Sequence, residues 1–368
     1  MKLTVSRESL LKGLQVIQGI IEAKSTISIL GHMLLSADEN GTTISATDLE
    51  IAVREPLEAS VHNTGSACIP AKKMYEIVRE INSQEITIEQ LENNWISITG
   101  GRSKFRLIGL PEKEFPQFPD ISVGDAIAIP AADLGDIINK TLYATGDNDA
   151  RYSLNGLLFH ANPSTGKLVV VGTDGHRLAV ASKDLTGGLS EERKVILPKK
   201  AAAEARKLAD ATMNDIAISF NNNNLIFSVD GIVMISRLIE GSYPNYEQVI
   251  PRNNEKRMKG VRADLFGAVK RAALVGKEKT FTIRLEISEG LAVFSSNNPE
   301  LGEASEPVEV EYSGEPLMLG FNARHMTDLL QAMNGEFVTM ELQDSLIPAI
   351  IRETGSTDYF CVLMPMRT

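Results

Sequence analysis

The chain has 368 residues, a net charge of −11 and 43% hydrophobic residues, but only 5% aromatics and a single tryptophan, Trp95. That length suits two or three domains and the apolar share excludes a disordered chain, while the overall acidity argues against nucleic acid as a partner. Cys68 and Cys361 lie far apart in strand-like runs without a CxxC pair, the N-terminus is charged where a signal peptide needs an apolar stretch, and no long uncharged apolar run occurs, so a reduced, cytoplasmic, non-membrane protein is expected.

In chain order, six stretches read as helices. "SRESLLKGLQVI" (6–17) opens on a capping serine and repeats its apolar residues at helical spacing. "PAKKMYEIVREI" (70–81) follows, with Pro70 suited to a first turn, where no N–H is needed. "AADLGDIINKTL" (131–142) resembles the first stretch, and "PKKAAAEARKLA" (198–209), entered through Pro198, resembles the second. "RADLFGAVKRAALV" (262–275) and "NARHMTDLLQAM" (322–333) repeat the same two types. Between them, segments such as "EITIEQLENNWISITG", "DIAISFNNNNLIFSVDG" and "LEISEGLAVFSSNN" alternate with period two. Asn93-Asn94, the Asn221 to Asn224 run and Glu289-Gly290 read as hairpin tips. The pattern is one strand–helix–strands–helix–strands unit used three times. It predicts domains at 1–123, 124–252 and 253–368.

The repeat supplies an internal control for the most chemical-looking stretch, "VGTDGHRLAV" (171–180), where Asp174, His176 and Arg177 crowd together. The first unit carries "SATDLEIAV" (45–53) at the matching place, with Asp48 but no His or Arg after it. The shared Asp therefore reads as a turn residue that bonds its own backbone, with Gly175 supplying a positive φ. His176 and Arg177 stay open between half-exposed strand residues and a recognition surface. An enzyme built on Asp174, His176 and Arg177 is the rival class, but no phosphate loop, HExxH, GxSxG or complete SxxK/SDN/KTG set accompanies them. The five histidines (32, 62, 160, 176, 325) are scattered, so no metal is expected, and no cofactor motif occurs. A regulatory DNA-binding protein is a weaker rival without a helix-turn-helix or zinc signature.

The charge is unevenly placed. The six helical stretches hold fourteen basic residues (Arg7, Lys12, Lys72, Lys73, Arg79, Lys140, Lys199, Lys200, Arg206, Lys207, Arg262, Lys270, Arg271, Arg324) against eight acidic ones. They total +6 and leave −17 for the rest of the chain. Either the helices share a cationic, phosphate-attracting face, or they simply carry solvated Lys and Arg.

At this point a resemblance becomes specific. "LGHMLLSA", "TDLEIAV", "CIPAKKMYEIVREI", "GRSKFRLIGLPEKEFP", "ARYSLNGLLF", "TDGHRLAV", "GSYPNYEQVIP", "SSNNPE", "GFNARHMTDLL" and the C-terminal "VLMPMR" resemble, in order and over essentially the whole length, the bacterial sliding clamps, the β subunits of DNA polymerase III. The resemblance implies an α+β fold of three topologically similar clamp domains, each with two helices and two antiparallel sheets, forming half of a closed ring. It implies no enzyme, no cofactor and no metal. The implied function is a head-to-tail homodimer that encircles duplex DNA without reading sequence. The implied partners are a second copy, the polymerase III catalytic subunit, the clamp loader and other clamp-binding-motif proteins.

Carried over residue by residue, the resemblance implies a peptide groove of Leu154, Thr173, Gly175, His176, Arg177, Leu178, Pro244, Val249, Asn322, Leu346, Pro348, Val362, Leu363, Met364, Pro365 and Met366. Apolar walls would take Leu or Phe anchors, and Arg177 would fix the peptide's polar groups. Implied DNA-facing residues are Lys24, Lys72, Lys73, Arg79, Arg151, Tyr152, Lys199, Lys200, Arg206 and Lys207. The implied joint sets Arg102, Lys104, Phe105 and Leu107 against Leu274, Val275, Glu300, Glu303 and Glu306. The chain departs from the family pattern at Ser153, where many relatives carry a second aromatic, and at Gln248 and His325, often Arg and Tyr elsewhere.

Overall fold

The computed structural model describes all residues except 22–25, 120–125, 188, 222, 277–280 and 368. Among the described residues every expected helix forms: α1 Arg7–Ile17, α2 Ala71–Glu80, α3 Ala131–Leu142, α4 Lys199–Asp210, α5 Arg262–Ala272 and α6 Ala323–Ala332. Ser6 caps α1 by accepting the Ser9 N–H, and Asn322 caps α6 by accepting those of Arg324 and His325. Two expectations shift by small steps. Pro70 and Pro198 end the preceding strands and stand just outside their helices, where the missing N–H also costs nothing. The fifth stretch stops at Ala272, and its last turn, Ala273–Val275, tightens to a 3₁₀ helix.

The strands, in chain order, begin with β1 Lys2–Ser6, β2 His32–Asp38, β3 Gly41–Thr47, β4 Ile51–Pro56, β5 Ala59–Asn63, β6 Gly65–Pro70, β7 Glu85–Gln90, β8 Trp95–Gly100 and β9 Ser103–Ile108. The middle third adds β10 Ala126–Pro130, β11 Gly156–Asn162, β12 Lys167–Thr173, β13 Arg177–Asp184, β14 Arg193–Pro198, β15 Asp215–Phe220, β16 Asn224–Val229 and β17 Ile232–Arg237. The last third adds β18 Lys256–Val261, β19 Thr282–Ser288, β20 Leu291–Asn298, β21 Gly302–Glu309, β22 Leu317–Asn322, β23 Phe337–Leu342, β24 Ala349–Glu353 and β25 Tyr359–Leu363. The three predicted hairpin tips fall between β7 and β8, β15 and β16, and β19 and β20. Asn93 and Asn94 take the left-handed conformation there (φ 55° and 59°), which Asn tolerates.

The contacts gather into two compact units. Residues 1–135, 186–189 and 203–238 form one, and 136–185, 190–202 and 239–368 the other. The first holds a five-stranded sheet, β5-β1-β7-β8-β9, and an eight-stranded sheet, β10-β15-β16-β17-β4-β3-β2-β6. The second holds an eight-stranded sheet, β14-β11-β12-β13-β25-β24-β23-β18, and a four-stranded sheet, β21-β20-β19-β22. The middle repeat thus gives strands to both long sheets. At each seam, a strand that follows a Thr-Asp turn meets one from the next repeat. Val53 of β4 faces Met234 of β17, and Leu178 of β13 faces Val362 of β25. Both seams convert exposed strand edges into ladder hydrogen bonds.

Within the first unit, α1 buries Leu10, Leu14 and Ile17 against the long sheet. Gly13 lets the helix sit close, since a Cβ there would lie 3.1 Å from Ile44 Cδ1 and 3.7 Å from the Glu55 carboxyl. Glu55 on β4 is buried opposite Ile44, and its Oε2 has no hydrogen-bond partner among the described residues. Burial pushes its carboxyl up to about 7, against the opposing pull of Lys12. The folded state therefore keeps this proton where the unfolded chain releases it. Stability is fully present below the ordinary carboxyl value and falls as pH rises towards 7. Glu55→Gln is expected to raise stability at pH 8 by on the order of 3 kcal/mol and to change it little at pH 4.5, read by denaturant melts at both pH values.

Candidate functional site

Residues 173–177 form a turn built by their own side chains. Asp174 Oδ1 accepts the N–H groups of His176 (2.9 Å) and Arg177 (3.0 Å). Thr173 Oγ1 accepts from Gly175 N (3.1 Å) and donates to the Arg177 carbonyl (2.6 Å). Gly175 takes a positive φ of 86°. The turn at 47–51 repeats this geometry: Asp48 Oδ1 accepts from Glu50 N (2.9 Å) and Ile51 N (2.6 Å), and Thr47 Oγ1 accepts from Leu49 N (3.0 Å). Leu49 stands where Gly175 does, at φ 78°, a position that costs a leucine about 1 kcal/mol. The shared Asp is thus a turn residue in both repeats.

The unit-specific additions do different work. Arg177 is nearly buried, with 11% of its side chain exposed, and every guanidinium nitrogen is taken. Nε donates to Asp174 Oδ2 (3.0 Å), Nη1 to Asp328 Oδ2 (2.7 Å) on α6, and Nη2 to the Tyr143 carbonyl (2.6 Å) after α3. Arg177 thus borders the site while one donor of each nitrogen is anchored inside the fold, which fixes the plane of its guanidinium. Its neighbour Tyr143 places its hydroxyl 2.9 Å from Cys361 Sγ and 3.1 Å from Tyr359 Oη, and burial pushes the Cys361 thiol up to about 11, away from the reactive thiolate.

Against this turn lies a cavity of about 230 Å³. Ten of the predicted groove residues line it: Leu154, Thr173, Gly175, His176, Arg177, Leu178, Pro244, Val249, Val362 and Met364. Its floor continues into a buried cluster of Leu158, Val171, Val180 and Ile350, backed by Tyr243 and Tyr246. The other six predicted residues do not line it. Asn322 caps α6, Leu363 is buried in β25, and Leu346 is 74% exposed. The Pro348 carbonyl accepts from Asn254, and Pro365 and Met366 belong to the tail after β25. That tail is a strap: Met364 N–H bonds the His176 carbonyl (3.0 Å), and Met366 N–H bonds the Gly320 carbonyl (2.8 Å) on β22, tying the two sheets of this unit.

Sequence reasoning missed three lining residues: Arg151, Asn245 and Tyr246. Arg151 was assigned to a DNA-facing set, yet it lies over Gly175, donating to the Asp174 carbonyl (3.2 Å) and to both oxygens of Asp149. Those bonds hold the Asp149 carboxyl down to about 2. Asn245 caps the turn Tyr246–Val249, a signal present in "PNYEQV" but not used. A cavity of equal volume in the other unit lies between α1 and α4, above Val53 of β4 and Met234 of β17.

Of the remaining candidates, Lys24 lies outside the described residues. Lys72, Lys73 and Arg79 are exposed on α2, whose Ala71, Met74 and Val78 are buried. On α4, Lys200 and Lys207 are exposed and Lys199 and Arg206 half-buried. Several pair locally: Lys73–Glu76 (2.6 Å), Lys199–Asp147 (2.6 Å), Arg206–Asp210 (3.1 Å) and Lys207–Glu204 (2.7 Å). Tyr152 is 77% exposed. β9 and β21 are each a sheet edge, with no second partner strand among the described residues. Arg102, Lys104 and Phe105 are exposed at the first edge, with Leu107 half-buried; Glu300 and Glu303 are exposed beside the second. Leu274 is 76% exposed, Val275 is half-buried, and Glu306 pairs with Arg271 (2.8 Å). Among the described residues no group of three or more His, Cys, Asp or Glu could hold a metal ion, and no helix is long and apolar enough to cross a membrane.

Comparison with known proteins now decides the family. The N-terminal, central and C-terminal domains of the DNA polymerase III beta subunit match residues 1–119, 128–245 and 247–367. The beta sliding clamps of Vibrio cholerae and Escherichia coli K12 are 33% and 34% identical, each over the full length of both chains. A crystal structure of the DNA polymerase III subunit beta from Pseudomonas aeruginosa is 34% identical with a TM-score of 0.94, again with complete coverage of both chains. One from Bartonella birtlesii, bound to griselimycin, is 31% identical with a TM-score of 0.96 and the same coverage. The chain belongs to the DNA polymerase III β-subunit family, the β sliding clamps. It is therefore a non-catalytic protein, and the enzyme built on Asp174, His176 and Arg177 is set aside. In this sliding clamp Arg177 holds the turn, α3 and α6 together. Arg177→Met should lower stability by about 3 kcal/mol, because it strands the carboxylates of Asp174 and Asp328, while Asp328→Asn should cost less; chemical denaturation reads both.

Proposed function

We propose that the chain acts as a DNA sliding clamp whose polymerase-tethering site is the cavity between the 173–177 turn, the Pro244–Val249 segment and the Met364 strap. The clamp closes into a ring on dimerisation, encircles duplex DNA and tethers the replicative polymerase and other factors through peptide motifs. The observation that carries the site is the coincidence of apolar walls, a pre-built turn and a methionine on one 230 Å³ cavity. Leu154, Leu178 and Val362 offer a desolvated floor for Leu or Phe anchors, and Met364 adapts to differing side chains. Leu346, Pro348 and Met366 would extend the groove beyond the cavity. Within the chain we place clamp domains at 1–123, 124–252 and 253–368, in a cytoplasmic protein.

The duplex would meet Lys72, Lys73 and Arg79 of α2 and Lys199, Lys200, Arg206 and Lys207 of α4. The head-to-tail joint would set the basic edge around Arg102, Lys104, Phe105 and Leu107 on β9 against Glu300, Glu303 and Glu306 at β21, with Leu274 and Val275 beside them. Opposite charges on two unpaired edges give such a joint its direction.

Removing residues 364–368 should abolish binding of a peptide with Leu and Phe anchors, measured by calorimetry; unchanged affinity would refute the site. Lys199→Glu with Lys200→Glu should weaken retention on circular duplex DNA equally for all sequences and lower the salt slope by about two. A loss confined to one sequence would contradict sliding.

A further inference from the structure

The cavity's rim carries one polar side chain that the fold leaves unused. Arg177 sends one bond from each guanidinium nitrogen into the fold, Thr173 Oγ1 closes the turn, and Asn245 Oδ1 caps the next segment. The His176 imidazole is exposed on the cavity wall, and its ring nitrogens have no hydrogen-bond partner among the described residues. It faces a second imidazole, His325 on α6, with ring centroids 6.3 Å apart and planes tilted by 55°. His325 Nε2 stands 4.0 Å from Asp174 Oδ2, an oxygen already taken by Arg177 Nε at 3.0 Å.

The charges around this pair decide what it can receive. Asp174 and Arg177 face it from the turn, Asp328 from α6, and Asp149 with Arg151 from beside His176. With both imidazoles neutral, three carboxylates oppose two guanidinium groups, and the corner repels an anion. One proton on the pair cancels that excess, and a second makes the corner cationic. Two N–H donors at this separation can hold the two oxygens of one carboxylate between them. Resting on the groove reading above, we propose that His176 and His325 form a proton-linked subsite for a carboxylate on the bound peptide, either an acidic side chain or a free C-terminus beside the apolar anchors.

The state of His325 in the free protein fits this linkage. Burial holds it below its ordinary value; Arg177 and His176 add to that effect, while Asp174 and Asp328 oppose it. A carboxylate arriving beside the ring raises it, so binding takes up a proton. The gain is present at low pH and is lost as pH rises through the bound-state value.

Three fluorescein-labelled peptides with the same Leu and Phe anchors test this by anisotropy at pH 8 and pH 6: one with Asn beside the anchors and a C-terminal amide, one with Asp there and an amide, and one with Asn and a free carboxylate. A carboxylate peptide is expected to bind about tenfold tighter at pH 6, a proton's worth of coupling, while the Asn amide changes less than twofold. Which carboxylate peptide responds identifies the source of the anion. His325→Gln should flatten the response to under twofold, and a ring-proton NMR titration should show His325 moving to higher pKa only with a carboxylate peptide bound. An equal pH response from all three peptides, or a response that survives His325→Gln, overturns the subsite and leaves the groove standing. Failure of all three to bind at either pH overturns the groove with it.

Discussion

β13 carries the structure's main constraint, because it must satisfy two neighbours at once. On one side Val171 and Thr173 of β12 pair with Val180 and Leu178, within one repeat; on the other, Val362 and Leu363 of β25 pair with Leu178 and Arg177, from the next. Register on both sides is fixed by the turn that launches the strand, since a slip of one residue would turn Leu178 and Val180 from the apolar cluster to the opposite face. Asp174 and Thr173 lock that turn, and Arg177 bolts it to α6 and to the end of α3. The cavity is a by-product of this arrangement. Its walls are the turn, the seam strands and the strap that continues from β25, so rigidity of the seam becomes preorganisation of the groove.

The same logic explains what could be read from the sequence and what could not. Helices were legible because capping and spacing act locally: Ser6 and the buried faces of α1 and α2 stand where the pattern put them. The Asp48 and Asp174 turns were legible because two copies could be compared. The merging of three repeats into two long sheets was not, because β4 and β17 meet across nearly two hundred residues and no local propensity encodes a partner. The anchoring of Arg177 was hidden for a related reason. Asp328 and the Tyr143 carbonyl, which accept from its guanidinium, are both distant in sequence. The place of Arg151 over Gly175 was hidden by the same sequence distance.

Electrostatics on the helices favours exchange over fixation. Lys73, Arg206 and Lys207 pair with acids three or four residues away on their own helices. The exposed pairs of Lys73 and Arg206 are worth about 0–1 kcal/mol each, so a phosphate can replace the carboxylate at little cost, whereas Lys207 faces a Glu204 that is buried. A surface of this kind holds a polyanion by counterion exchange and imposes no register on it. The neutralising acids also moderate the field that bare lysines would create, which suits contacts that must form and break as the duplex moves.

The edge strands complete the argument. A free edge such as β9, with Phe105 exposed, invites indiscriminate pairing. Lys104 and Arg106 protect it, because any strand that lacks matching acids meets unpaired positive charge. β21 is the complementary case: Glu303 and Glu309 are exposed and repel like charge, while Glu306 is paired with Arg271. Edges of opposite charge thus discourage pairing of like with like.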